Sequence, residues 1–217
     1  MWRCINCKTP AKDEQEACRR CGDRLKPAQR SSPGAVGLDR AASYPRQQTQ
    51  GEYQMPDEYA QDLLTAALNY AHAGIYVFPL RLSVRGDGRK GLHPIAAWHD
   101  ASTTDQEMIL HWFDEGGPWR GTAVAIDTGK SGLTVIDLDV TEGKDGIAAW
   151  ERENAASPMQ VITPTGGRHH YFKADPARPV TVHNRGEVAD GIDVRGEGGL
   201  VIAPPSIDPR GGSWEWA

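Results

Sequence analysis

The feature that most limits the fold is the placement of the cysteines, all four of which lie in the first 21 residues. Cys4 pairs with Cys7 and Cys18 with Cys21 in two Cys-x-x-Cys motifs, with the spacing of a four-thiolate zinc site. Residues 1–26 are too few to bury a core, so we expect structural Zn²⁺ to supply the folding energy of a zinc ribbon. The alternatives are two disulfides, which a reducing cytoplasm disfavours, and a redox motif, which requires a βαβ context.

The charges divide the chain into a basic head and an acidic body. Residues 1–50 contain ten Lys and Arg against five Asp and Glu, whereas the remaining 167 residues contain fourteen against 24. The basic residues around the second cysteine pair are Arg19, Arg20, Arg24 and Lys26. A basic head of this kind suits a nucleic-acid contact, although other zinc ribbons bind protein or brace a terminus. Residues 27–55 lack apolar periodicity and are expected to form a flexible linker.

Residues 56–217 have the pattern of one α+β domain. A helix begins at Pro56 and ends before Gly74, and a second helix through Ile109 is expected to be capped by the hydroxyls of residues 102–104. A third helix is predicted near residues 145–154. Strands are predicted at residues 75–80, 123–126, 133–140, 161–162, 169–173, 192–195, 200–203 and 213–216. Because no regular βαβ repeat is present, we expect a mostly antiparallel sheet.

The strongest chemical signal in the body is an acidic pair within an apolar strand. Asp137 and Asp139 project from one face of that strand, while Ile136 and Leu138 point into the core. Carboxylates two residues apart on a strand lie about 7 Å from each other, repel, and together suit hard divalent cations. The alternative is a solvent-facing acidic edge, which the apolar neighbours disfavour. The pair therefore predicts a divalent metal site.

A second cluster of polar residues follows at residues 163–172. A hydroxyl, two open backbone amides and a positive charge together suit a triphosphate, and they come from Thr165, Gly166, Gly167 and Arg168. Strand alternation puts His169 and His170 on opposite faces, so only one histidine reaches a shared site. A glycine turn before a buried strand is the alternative interpretation.

Two further segments contain residues typical of functional sites. Asp193, on a strand that ends in a glycine-rich turn, offers a third carboxylate that would complete a two-metal site, although one Asp alone does not define a site. Residues 128–131, Thr-Gly-Lys-Ser, only imitate the end of a phosphate-binding P-loop. The first glycine of that motif falls at Val124, and the fragment leads into no helix, so a P-loop is excluded.

In this order, the motifs resemble the N-terminal primase-polymerase domain of the archaeo-eukaryotic primase superfamily, found in replication proteins of phages and plasmids. The resemblance covers about residues 57–217. The matching positions are residues 66–70, Lys90, Trp98, 101–103, 136–139, 163–169, 171–172, 191–196 and 203–206. The resemblance implies an RRM-like catalytic sheet packed with a second αβ half.

The resemblance also implies a reaction, template-directed nucleotidyl transfer, and roles for single residues. The carboxylates that would hold catalytic Mg²⁺ or Mn²⁺ are Asp137, Asp139 and Asp193. His169 becomes the nucleotide-contacting histidine, and Thr165 keeps the hydroxyl of the serine usual in the family. Lys90 and Arg195 are our further expectations for phosphate or template contacts.

The expected partners are a single-stranded DNA template with its primer, and dNTPs or NTPs. No apolar run approaches the ~20 residues that cross a bilayer, so we expect a cytoplasmic protein with no membrane partner. If the chain is encoded by a phage or plasmid, as the resemblance implies, that cytoplasm is the one of a bacterial host cell. The chain stops in or just after a predicted strand, and we expect it to continue into a helical module and a helicase. Two other functions remain open: a non-catalytic DNA- or partner-binding module, and a metal-dependent nuclease or phosphoesterase.

Deleting residues 1–50 tests the role of the basic head. An acidic body binds DNA poorly unaided, because Lys and Arg normally neutralise the phosphates. The deletion should therefore weaken binding of a single-stranded template more than binding of a nucleotide, as measured by fluorescence anisotropy with labelled DNA and labelled nucleotide. Equal template affinity with and without the head would contradict this prediction.

Overall fold

The computed structural model describes residues 56–141, 143–178, 180 and 187–217, together with the backbone of two short N-terminal strands. The chain divides into two compact units, Met1–Tyr53 and Gln54–Ala217. In the first unit, β1 (Trp2–Arg3) pairs antiparallel with β2 (Pro10–Ala11). The predicted zinc ligands and linker lie outside the described residues: Cys4, Cys7, Cys18, Cys21 and residues 27–55.

The second unit mixes helices with short antiparallel strands, in agreement with the α+β class predicted. Its helices are α1 (Asp57–His72), α2 (Trp98–Ala101), α3 (Gln106–Phe113) and α4 (Gly146–Glu151). Its strands are β3 (Val77–Val84), β4 (Lys90–Pro94), β5 (Ala123–Asp127), β6 (Leu133–Leu138), β7 (Val140–Thr141), β8 (Lys144–Asp145), β9 (Gln160–Ile162), β10 (Arg168–Lys173), β11 (Glu187–Ala189), β12 (Ile192–Arg195), β13 (Leu200–Ile202) and β14 (Glu215–Trp216). Within the described ranges, no helix is long and apolar enough to cross a membrane.

A four-stranded sheet in the order β13-β5-β3-β4 packs against α1 and α3. α1 starts after Pro56 with two acidic residues in its first turn and buries an apolar stripe at helical spacing, as predicted. α3 differs from expectation at its start. The Asp105 carboxylate caps it by accepting bonds from the amides of Glu107 (2.9 Å) and Met108 (3.4 Å), so the cap is not a hydroxyl.

A six-stranded sheet in the order β11-β12-β6-β10-β9-β14 carries the sequence motifs. Asp137 of β6 lies opposite Asp193 of β12 on one side and opposite His169 of β10 on the other. Residues opposite each other in antiparallel strands share a face, so these three side chains project together. His170 is fully buried on the other face, with its ring 6.5 Å from that of Trp150 in α4. The predicted separation of the two histidines is therefore confirmed.

The region after the first strand differs from the prediction. β3 continues to Val84, beyond the predicted end at residue 80, and pairs with β4, which was not predicted. β4 reads Lys-Gly-Leu-His-Pro, and its glycine, its proline and its single large apolar residue hide the alternation of a strand. β11 likewise has no predicted counterpart, and the third helix is shorter than predicted.

The fragment that imitates a P-loop has a structural role. The Lys130 ammonium donates to carbonyl oxygens at the end of α2, those of His99, Asp100 and Ser102. Asp127 is fully buried and accepts a bond from the Ser102 hydroxyl at 2.9 Å. The lysine therefore braces α2 against the turn between β5 and β6.

A close backbone contact sets the end of β6. The Asp139 amide donates to the carbonyl oxygen of Gly191 at 2.8 Å, and the Asp139 carbonyl accepts from the Gly146 amide at 3.0 Å. These bonds take Asp139 out of the ladder, so the strand predicted at residues 133–140 ends at Leu138. A Cβ on Gly146 would collide with the Gly191 carbonyl oxygen, and Gly191 itself has a φ of +73°. Both positions therefore require glycine.

Substituting Gly146 should destabilise the fold through this contact. Gly146→Ala forces Asp139 and Gly191 apart and should lower the free energy of unfolding by about 1–3 kcal/mol, measured by urea denaturation. Gly86→Ala is the control, because a Cβ at Gly86 meets no atom within 4 Å. Equal stabilities for the two variants would contradict the prediction.

Candidate active site

The site is built on a row of three side chains across three neighbouring strands. The Nε2 atom of His169 lies 3.5 Å from Oδ1 of Asp137, and the Asp193 carboxylate lies on the opposite flank of Asp137. The side chains of His169, Asp137 and Asp193 are 6%, 18% and 22% exposed. Antiparallel register thus brings together three of the predicted site residues from distant parts of the sequence.

Asp137 and Asp139 both line a pocket at the end of β6. The pocket lining consists of Lys90, Asp137, Asp139, Thr163, Pro164, Thr165, His169, Asp208, Arg210 and Trp214. Asp139 is exposed and Asp137 is mostly covered, because Asp139 has left the strand ladder. Asp193 lies beside the pocket, one strand away from Asp137.

The two pocket carboxylates resist ionisation. Burial raises the pKa of Asp137, Arg195 lowers it less strongly, and the charge of Asp193 raises it further. Burial also raises the pKa of Asp139, and the charges of Asp137 and Asp193 add to the rise. Both carboxylates are therefore costly to hold as anions side by side, and a bound cation would relieve that cost.

His169 is neutral near neutral pH. Burial, followed by the charges of Lys90 and Arg195, lowers the pKa of His169 to about 3. Its Nδ1 atom is buried and has no hydrogen-bond partner among the described residues. A neutral imidazole can donate one hydrogen bond to a ligand in the pocket, but it cannot offer a positive charge to a phosphate.

Arg195 joins two of the carboxylates. Its guanidinium donates to Oδ2 of Asp193 at 2.7 Å and lies 3.5 Å from Oδ2 of Asp137. From the sequence, Arg195 is expected to contact phosphate or template. In the structure, this side chain instead neutralises the row of carboxylates from the side of β12.

Two cations, Lys90 and Arg210, line the same pocket as the carboxylates, and we call them the cationic wall. The Lys90 ammonium lies 4.6 Å from the ring centre of Trp214, and burial lowers the pKa of this lysine. Asp208 is 2% exposed and accepts hydrogen bonds from the Arg210 guanidinium, the shortest at 2.7 Å. Burial by itself would raise the pKa of Asp208, but these bonds lower it below its usual range.

Sequence reasoning predicted Lys90 but missed Asp208, Arg210 and Trp214. These three lie on the segment after β13, where turn residues surround them and no periodicity marks them. The only available signal was the sequence Asp208-Pro-Arg210, in which opposite charges stand two residues apart. That pattern occurs on many exposed loops and does not identify a pocket.

The loop between β9 and β10 differs in part from expectation. The Gly166 amide donates to the Thr163 carbonyl oxygen at 2.9 Å, so it is already used within a turn. Gly167 packs beneath the end of β6, where a Cβ would collide with the Leu138 carbonyl oxygen. Thr165 does line the pocket, with its hydroxyl 3.2 Å from that of Thr163.

Arg168 does not join the predicted triphosphate site. It projects from the face of β10 opposite His169, and its guanidinium donates to Oε1 of Gln160 at 3.0 Å. The reason is alternation along the strand, the same rule that separates His169 from His170. Lys90 and Arg210 supply the positive charge of the pocket in its place.

The metal hypothesis fits two of the three carboxylates as they stand. Asp137 and Asp139 share the pocket, and burial, with repulsion from neighbouring carboxylates added, raises the pKa of both, a cost that a divalent cation would offset. Asp193 is bonded to Arg195, so it would have to exchange that partner for a metal. Among the described residues, no group of three or more metal-ligating side chains is already arranged around one point.

Residues 67–217 match the family model described as bifunctional DNA primase/polymerase, N-terminal, which is more than half of the chain. The chain belongs to this family. No curated protein matches its sequence. The primase/polymerase domain indicates a primase/polymerase-type function in DNA replication and a nucleotidyltransferase type of enzyme, with DNA and nucleotides as substrates.

The pocket of this primase/polymerase domain is lined by charges of both signs. Asp137 and Asp139 supply negative charge, and Lys90 and Arg210 supply positive charge. Such a pocket can hold a ligand that carries both metal cations and phosphates, since each part finds the opposite charge. A nucleoside triphosphate with its divalent cation has this composition.

Replacing Asp137 by Asn should stabilise the metal-free protein. A carboxyl group whose pKa is raised by folding reduces stability as the pH rises through that value, because the unfolded chain ionises more readily. Asp137→Asn should therefore raise the melting temperature at pH 7 in EDTA, by about 2–4 °C for each 1 kcal/mol relieved. The difference from the unsubstituted protein should shrink as the pH is lowered.

The control for this variant is Glu153→Gln, which removes an exposed carboxylate far from the row. It should leave the melting temperature nearly unchanged at both pH values. A lower melting temperature for Asp137→Asn in EDTA would show that the Arg195 and His169 contacts outweigh the cost of the buried charge.

Proposed function

We propose that this domain catalyses template-directed nucleotidyl transfer, as a DNA primase/polymerase in the replication of a phage or plasmid. One observation carries the proposal: Asp137 and Asp139 share a pocket with a cationic wall, Lys90 and Arg210. The carboxylates suit metal ions and the cations suit phosphates, so one pocket offers both parts of a polymerase site.

The metal-binding residues in this proposal are Asp137 and Asp139, with Asp193 joining them when it gives up its bond to Arg195. Bound Mg²⁺ or Mn²⁺ would lower the pKa of an attacking 3′-hydroxyl and offset charge at the α-phosphorus, as in a two-metal mechanism. Arg195 would then move toward the phosphates or remain on Asp137. The raised pKa of both pocket carboxylates, caused mainly by burial, supports this assignment, because a bound cation would stabilise their ionised forms.

The triphosphate is assigned to the cationic wall and the loop between β9 and β10. Arg210 is held by the buried Asp208, which fixes the guanidinium and leaves less conformational freedom to lose on binding. Lys90 is held over Trp214. The Thr165 hydroxyl and the neutral His169 ring offer uncharged hydrogen bonds. Gly166, Gly167 and Arg168, expected from the sequence as nucleotide contacts, are left out: the Gly166 amide is used within a turn, Gly167 packs beneath the end of β6, and Arg168 faces away.

The proposal extends to the rest of the chain. We assign the six-stranded sheet to the RRM-like catalytic half and the four-stranded sheet to the second αβ half. Cys4, Cys7, Cys18 and Cys21 are proposed to hold one structural Zn²⁺, and residues 27–55 to tether the ribbon. The ribbon supplies basic residues that the acidic catalytic body has in short supply.

Primer extension tests the catalytic assignment. The unsubstituted chain should extend a labelled primer on a single-stranded template with dNTPs or NTPs and Mg²⁺ or Mn²⁺. Asp137→Ala/Asp139→Ala should reduce extension by at least 100-fold, roughly what loss of a main electrostatic contribution costs, and should keep a cooperative melting transition. Asp175→Ala/Asp190→Ala is the matched control, because both carboxylates lie outside the pocket.

Other outcomes separate the alternative functions. Shortening of the labelled DNA without nucleotides, lost in the same double variant, would indicate a nuclease. Template binding without any metal-dependent chemistry would indicate a binding module. Extension that survives in Asp137→Ala/Asp139→Ala would remove the proposed mechanism altogether.

A further inference from the structure

The turn of the β3–β4 hairpin concentrates positive charge within an acidic domain. Residues 81–93 contain four of the fourteen basic residues of residues 51–217, and Asp87 is the only acidic residue among them. The rest of residues 51–217 contains ten basic and 23 acidic residues. A local reversal of sign this strong creates a surface that attracts polyanions where its surroundings repel them.

Two arginines at the hairpin tip are available to a ligand. The Arg85 amide donates to the Arg89 carbonyl oxygen at 2.8 Å, which closes the turn with both side chains exposed. Arg85 lies 3.8 Å from Asp87, a solvent-exposed pair that contributes little. Arg89 makes no ion pair with any described residue. Arg81, by contrast, is engaged with the Pro118 carbonyl oxygen at 2.7 Å and the ring of Trp119.

Along the chain, the hairpin tip is adjacent to a residue that lines the active-site pocket. Lys90, the next residue after Arg89, lines that pocket. Adjacent α-carbons are only about 3.8 Å apart, so the backbone of the exposed turn lies within a few ångströms of the backbone of this pocket-lining lysine. Apolar surface lies on the Lys90 side of the hairpin as well, where Val84 is 52% exposed and Leu92 is 44% exposed. The turn thus offers exposed cations, and the Lys90 face of the hairpin offers exposed apolar side chains, to a ligand that follows the hairpin.

We propose that Arg85 and Arg89 bind backbone phosphates of the single DNA strand that enters the pocket. The inference rests on the proposed function, since that function puts primer and template at this pocket. It adds a DNA-binding surface on the catalytic domain itself, separate from the basic N-terminal head. The contact is independent of base sequence, because it is made to backbone phosphates and not to the edges of bases.

The test compares two charge-matched double variants of the full chain. Arg85→Gln/Arg89→Gln removes the two positive charges of the hairpin tip. Arg152→Gln/Lys173→Gln removes two exposed cations elsewhere in the domain. Binding of a fluorescein-labelled single-stranded oligonucleotide is measured by anisotropy in EDTA over a range of salt concentrations. Each phosphate contact contributes about 0.7 to the slope of log affinity against log salt on single strands.

The tip variant should therefore lose about 1.4 from that slope and about 25-fold in affinity near 0.1 M salt. The control variant should change both quantities much less. Because the head is present in every protein, its contribution cancels in the comparison. Equal changes in the two variants overturn the inference, and so does an unsubstituted chain that shows no measurable binding to the oligonucleotide.

Primer extension on the same variants keeps this inference apart from the proposed function. If the tip variant shows the reduced slope of log affinity against log salt, but the unsubstituted chain never extends a primer, the DNA contact is supported and the polymerase function is not. Normal extension with an unchanged slope supports the polymerase and rejects the contact. The melting temperature should be the same in both variants, since all four side chains are exposed.

Discussion

The site depends on the register of β6 between its two neighbours. The pairing places Asp137 opposite Asp193 on one side and opposite His169 on the other. A slip of one residue would turn Asp137 into the core and bring Leu138 into the pocket, so register and function cannot be separated. The register itself is held by the apolar face of the same strand, where Ile136 and Leu138 are buried. Burial of the apolar face of β6 thus holds the carboxylates of Asp137 and Asp193 close together on its other face.

The resulting charges are only partly compensated in the protein alone. Arg195 neutralises the row from the β12 side, yet the pKa values of Asp137 and Asp139 are still raised. Within the pocket lining, Arg210 is bonded to Asp208 and Lys90 lies over Trp214, so both members of the cationic wall are held in place. The fold therefore keeps both signs of charge preorganised in one pocket, which suits a ligand that carries both signs itself.

The site residues that the sequence could predict are those placed by interactions between neighbours along the chain. Alternation along a strand is local, so it correctly assigned Asp137 and His169 to faces and separated His170. The same rule should have removed Arg168, which faces away and bonds to Gln160. Asp139 leaves the strand because of two glycines beyond it in the sequence, and Asp208 and Arg210 reach the pocket only through tertiary packing. Local patterns carry no information about either.

The pocket is built from two sheets, which explains why the residues that sequence reasoning missed belong to its cationic part. The carboxylates and His169 belong to one sheet, so their proximity follows from strand pairing. Lys90 comes from the edge strand of the other sheet, and Arg210 comes from the segment after β13. The positive side therefore exists only when the two sheets pack. A metal-binding row can be inferred from strand alternation, whereas a phosphate-binding pocket requires the complete tertiary structure.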